Sequence, residues 1–120
     1  MKPGEIIIKD INVLTGLFER RFDSLLVQII LYIAKNYGLR MSESHRKKLH
    51  RNDLHGTQPV RAIDLSHWVY DSDTAAKLSN EINNTWIYDP DRPEKLVSLV
   101  HNAGTGIHFH IQVHPNTRRR

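Results

Sequence analysis

Apolar residues in the first third of the chain recur with helical spacing. Phe18, Phe22, Leu25, Leu26, Ile29, Ile30, Ile33 and Tyr37 share one broad face, while Glu19, Arg20, Arg21, Asp23 and Lys35 avoid it. The pattern predicts one long helix that starts between Asn12 and Leu17 and ends at Tyr37, where Gly38 is a natural terminator. Ahead of it, Ile6–Ile8 predicts a short strand or part of a packed N-terminal arm over residues 1–15. Leu39–Ser44 reads as a strand, 45–58 as a polar, basic loop, and Val60–Leu65 as a strand opened by Pro59. Ser72 or Asp73 caps a second helix with Ala75, Leu78, Ile82 and Trp86 on one face. Asp89–Pro93 is turn-rich, and Leu96–His101 and Ile107–Val113 read as strands joined by a hairpin turn over Asn102–Gly106. This order predicts a single α+β domain over residues 1–120, with helices packed on a mainly antiparallel sheet and a basic tail at 115–120.

Composition narrows the chemistry. A chain of 120 residues with 39% hydrophobic and 25% charged residues has the balance of one globular domain. The absence of Cys excludes disulfides, thiolate chemistry and Cys-based zinc fingers. Charged residues scattered through the first twenty positions leave no signal-peptide core, and the apolar run Leu25–Ala34 is too short to span a bilayer. The expectation is a soluble chain with no membrane partner and no assigned compartment. Arg118–Arg120 account for three of the four net positive charges, so the body is nearly balanced. The denser cluster His45–Arg51 lacks interleaved aromatics, and no nucleic-acid partner is expected.

Histidine is the unusual residue, with eight in the chain. In a strand over Ile107–His114, His108, His110, Gln112 and His114 share one face, and Ile107, Phe109, Ile111 and Val113 take the other. His55, at the end of the basic loop, is followed by Asp64 inside a strand. A charge there wants a salt bridge, with Arg61 or Arg46, or a metal. Two imidazoles and a carboxylate make an N/N/O set that suits tetrahedral Zn²⁺ with one open position. His45, His50 and His114 read as surface residues. His67, Trp68 and Tyr70 are candidates for a cleft wall, and His101 for a supporting place.

Three segments, in order, resemble a known family: Met41-Ser42-Glu43-Ser44-His45-Arg46, then Asp53-Leu54-His55 through Ala62-Ile63-Asp64-Leu65, then Ile107-His108-Phe109-His110. They are similar to the marks of zinc D-alanyl-D-alanine carboxypeptidases and L-alanyl-D-glutamate endopeptidases, which include phage endolysins and share a fold with the Hedgehog domain. The resemblance spans roughly residues 20–115. It implies a Hedgehog/DD-peptidase-like fold, with His55, Asp64 and His110 as zinc ligands. His108 would be the companion imidazole beside the metal, and Arg46 would hold a substrate carboxylate or amide oxygen. The implied reaction is zinc-dependent hydrolysis of peptide bonds in peptidoglycan cross-peptides by a metal-activated water. The implied protein is a phage or bacterial one, cytoplasmic before release or virion-associated.

The chain departs from the pattern in places. Asp53 stands where the motif has Ser, the loop from His55 to Asp64 is longer than usual, and 102–109 contains no carboxylate to act as base. His108 can take that role, because imidazole titrates near neutrality. Two other readings stand beside the peptidase. One is a metal-binding structural or binding module that kept the zinc site and lost catalysis. The other is a histidine-triad-like nucleotidyl transferase, since His108-Phe109-His110-Ile111-Gln112 resembles its His-x-His-x-Gln motif with His110 as nucleophile.

Overall fold

Asp10 and Asp23 each open a helix, and between them the long apolar stripe is cut in two. In the computed structural model, which describes residues 1–102 and 107–120, α1 spans Ile11–Glu19 and α2 spans Ser24–Tyr37. The Asp10 carboxylate accepts from Val13 N at 3.0 Å, and that of Asp23 accepts from Leu25 N at 2.9 Å. A carboxylate in that position satisfies helix N–H groups that have no other partner. The intervening residues pair with Val60: Asp23 N donates to Val60 O and Val60 N to Arg21 O, each at 2.9 Å. The expected single helix is therefore two, and Phe18, at the end of α1, is 81% exposed instead of buried. α2 buries Leu26, Ile29, Ile33 and Ala34. Gly38 ends it with φ of 74°, a left-handed conformation that other residues enter only at a cost.

Five strands form the main sheet: β1 (Ile6–Ile8), β2 (Leu39–Glu43), β3 (Ala62–Ser66), β5 (Ser98–Asn102) and β6 (Ile107–Gln112). Their order is β1-β2-β3-β6-β5; β1 runs parallel to β2 and every other pair is antiparallel. Ile6–Ile8 is thus an edge strand. The hairpin turn expected over Asn102–Gly106 lies, past Asn102, outside the described residues. α3 (Ser72–Thr85) is capped by Asp71, one residue ahead of the expected cap, whose carboxylate accepts from Thr74 N at 2.7 Å.

One face of the sheet is apolar. Ile63 and Leu65 of β3 and Phe109 and Ile111 of β6 join Leu26, Ile29 and Ile33 of α2 and Leu78 and Ile82 of α3 in one core. The alternation of β3 and β6 then sends Asp64, His108, His110 and Gln112 to the opposite face. The domain is α+β, as its pattern of elements predicts.

The C-terminal triplet, expected as a solvated tail, is tied down. Trp86–Ile87 (β4) pairs antiparallel with Arg118–Arg119 (β7), Arg120 N donates to Thr85 O at 2.9 Å, and the Arg119 guanidinium lies 5.4 Å from the Trp86 ring centre. Among the described residues no helix is long and apolar enough to cross a membrane.

Candidate metal centre

Register sets the first pair. Asp64 of β3 sits directly opposite His110 of β6, so both side chains leave the same face of the sheet side by side. His110 Nδ1 lies 2.8 Å from Asp64 Oδ1. His55 arrives from the loop. A single 3₁₀ turn, Leu54–Gly56, presents it, and Asp53 caps that turn by accepting from His55 N at 3.2 Å and Leu49 N at 3.0 Å. Gly56 allows the loop to fold this tightly, because a Cβ there would come within 2.8 Å of Lys48 N. His55 Nε2 ends 3.4 Å from Asp64 Oδ1. The three groups offer ligand atoms that all lie within 4.8 Å of one another.

Hydrogen bonding fixes which ring nitrogens can ligate. The Gln112 amide donates its Nε2 to Leu96 O at 2.8 Å, so its Oε1 faces His110 Nε2 at 3.2 Å. An amide oxygen only accepts, so the Gln112 contact suits a proton on His110 Nε2, and Nδ1, which faces the Asp64 carboxylate, is the nitrogen a metal would take in place of a proton. His55 obeys the same logic. Its Nδ1 lies 3.0 Å from the carbonyl of Ser44 and must donate, which leaves Nε2 as the lone pair. Ser44 follows directly on β2, whose pairing with β3 shifts register between Met41 and Glu43, and its Oγ donates to Val13 O at 2.7 Å.

Two imidazole nitrogens and one carboxylate oxygen therefore face a common point. A cation at that point would take the place of the protons that otherwise bridge the imidazoles to Asp64. It fits a divalent metal, with both histidines oriented by backbone or amide oxygens behind them. His55 is 2% exposed, so its ring is held in place. Burial opposes ionisation of Asp64, but the hydrogen bonds and charge of His110 and His55 outweigh it and hold the carboxyl well below the usual carboxylate range. Neither alternative salt bridge forms: Arg61 lies 3.6 Å from Asp23, and Arg46 pairs with Glu43 and Asp53.

The group opens onto a cleft of about 910 Å³. His108 lines it from β6, opposite Ser66 in register, and His101 lines it from β5, opposite His108. The His101 ring centre is 6.1 Å from that of His108 and 6.3 Å from that of His110, so His101 stands beside the centre. Arg46 also lines the cleft, but its guanidinium is engaged, with Nη1 3.1 Å from Glu43 and Nε 3.3 Å from Asp53.

The suggested cleft wall of His67, Trp68 and Tyr70 lies elsewhere. His67 packs near Phe109, Trp68 is 73% exposed under the Arg40 guanidinium, and Tyr70 is buried with its hydroxyl donating to Gly38 O at 2.6 Å. His114, expected at the surface, lines the cleft, and His45 is largely buried beside Glu19. Sequence reading missed the supporting roles of Gln112, Ser44 and Asp53. Only Gln112 carried a usable signal, its place two residues from His110 on the same strand face. No known family model, curated protein or solved structure matches this chain.

Proposed function

We propose that this chain is a zinc peptidase of the Hedgehog/DD-peptidase fold that hydrolyses peptide bonds in peptidoglycan cross-peptides. The observation that carries the reading is the convergence of His55 Nε2, Asp64 Oδ1 and His110 Nδ1, each imidazole with its other nitrogen committed as a donor. Those three atoms would hold the metal. Bound zinc supplies Lewis-acid polarisation of a carbonyl and lowers the pKa of water to about 7.

The chain's own groups do the rest. His108, on the same strand face and lining the cleft, takes the proton of the attacking water on an imidazole nitrogen and returns it to the leaving amine. Arg46 stands on the wall, where its fork can meet a substrate oxygen by exchanging its bond to Glu43. His55, buried, keeps bulk water from one side of the centre.

A second reading, a metal-binding module without turnover, draws on one observation. Asp53 and Asp64 are the carboxylates that line the cleft among the described residues, and both are already bonded. The transferase reading is disfavoured, because it gives no role to the convergence of His55 and Asp64 on His110.

The test is metal analysis of the purified chain, followed by digestion of purified peptidoglycan with mass analysis of the products. The expected result is zinc in the chain and newly cleaved cross-peptides. Zinc without cleavage supports the module, and a folded chain that takes up no zinc overturns both readings.

A further inference from the structure

The cleft has a second wall, beyond the metal centre and next to His114, built on the turn that follows β4. Asp89 is 4% exposed, and its carboxylate accepts from Asp91 N at 3.0 Å and Arg92 Nε at 2.9 Å. Arg92 is thereby fixed, with its guanidinium 5.7 Å from the centre of the Tyr88 ring. Lys95 N donates to Arg92 O at 3.0 Å, which closes the turn and brings Lys95 alongside. Both cations line the cleft. Among the described residues, no hydrogen bond engages the Arg92 Nη groups, and Lys95 Nζ has no carboxylate partner. Asp91 and Glu94, on the same turn, are exposed and do not line the cleft, and the Glu94 charge reaches Arg92 from the solvent side.

The other wall adds Lys48 and Arg51, while Arg46 is already neutralised by two carboxylates. A buried acid that orients a cation toward a cavity, with its Nη edge left unbonded, is how a protein builds a receptor for a planar anion. The route from the metal centre runs His110, Gln112, His114, and His114 Nδ1 lies 3.8 Å from Asp89. Extended chain rises about 3.3 Å per residue, so this wall is roughly 13 Å along the backbone from His110. A carboxylate bound there belongs to a different residue of the substrate from the one being cleaved.

We infer that Arg92 and Lys95 form a carboxylate-binding subsite that makes the cleft selective for acidic peptides, a free carboxylate lying a few residues from the scissile bond. This rests on the peptidase reading for the nature of the ligand, but not for the subsite's existence. The test measures binding of two synthetic stem peptides, one with its free carboxylates and one with them amidated, to the zinc-loaded chain by calorimetry, with turnover followed in parallel. Wild type should bind the carboxylate form about ten- to hundredfold more tightly, the range of charged hydrogen bonds. Arg92→Gln with Lys95→Gln should erase that preference, raising KM and leaving kcat unchanged. Lys95→Gln alone removes no bond within the fold and should lower the preference without affecting the melting temperature. If selectivity persists in chains that show no turnover, the peptidase reading fails and the subsite stands. Equal binding of the two peptides by wild type, or an undiminished preference in both variants, would overturn the subsite.

Discussion

The two ends of the cleft are built on opposite principles. At the histidine end, every polar group is matched: Asp64 to two imidazoles, His55 to Ser44, His110 to Gln112. At the basic end, Arg92 is fixed from behind by its ion pair with Asp89, and among the described residues Lys95 has no carboxylate within ion-pair distance. A carboxylate between two imidazoles suits a positive ion, and cations along a cavity wall suit a negative one. A single substrate with a carbonyl at one end and a carboxylate at the other would satisfy both.

The largest effect should come from breaking the histidine end. His110→Ala removes one of the three proposed ligands, and zinc that binds only the folded chain would contribute about 4 kcal/mol at a thousandfold excess over its Kd. Melting in saturating zinc should therefore fall steeply in the variant, while the zinc-free proteins differ much less. His108→Ala should keep its zinc and lose turnover by about 10²–10⁴, the range for a general acid–base group; kinetics on a fixed cross-peptide would check this. Gln112→Leu sharpens the comparison further. It frees His110 Nε2 without touching a ligand atom, and zinc titration should show affinity lower by about 10- to 100-fold.

The smallest effect is one of pH. Burial raises the pKa of Asp53, but backbone N–H groups of Leu49 and His55 and the charge of Arg46 overcome it and leave the carboxyl below its ordinary range. Its folded pKa is therefore lower than its unfolded one, about 3.9. The stability this provides is complete above that value and is lost as pH falls through the folded pKa. In chelator, urea unfolding of the wild type should weaken from pH 5 to pH 3 more than that of Asp53→Asn. Equal slopes would remove Asp53 from the loop's support.

Much of the histidine end was readable because a strand has only two faces. Alternation over Ile107–Gln112 fixes Phe109 and Ile111 inward once a core exists, and His108 and His110 follow outward. Asp64 obeys the same rule in β3. What periodicity cannot carry is a cap. Asp23 lies off the apolar stripe like any surface acid, so the stripe runs on through Arg20–Asp23, where the chain leaves one helix and starts another. Nor can it carry pairing made by main-chain groups. Arg118–Arg119 looks like a tail because its strand partners, Trp86–Ile87, are held by backbone bonds that leave no side-chain signature. The basic end is hidden for a related reason: Asp89 and Arg92 read as ordinary turn residues until burial of the acid shows which way the cation is held.

The central claim is that one ion is gripped by two imidazoles and one carboxylate. Zinc K-edge absorption spectroscopy on the loaded chain tests it most directly, with stoichiometry measured on wild type and His110→Ala together. The account predicts one zinc per wild-type chain, coordinated by two imidazole nitrogens and a carboxylate oxygen, and loss of that zinc in the variant. Unchanged stoichiometry in His110→Ala, or a spectrum without imidazole scattering, would contradict it.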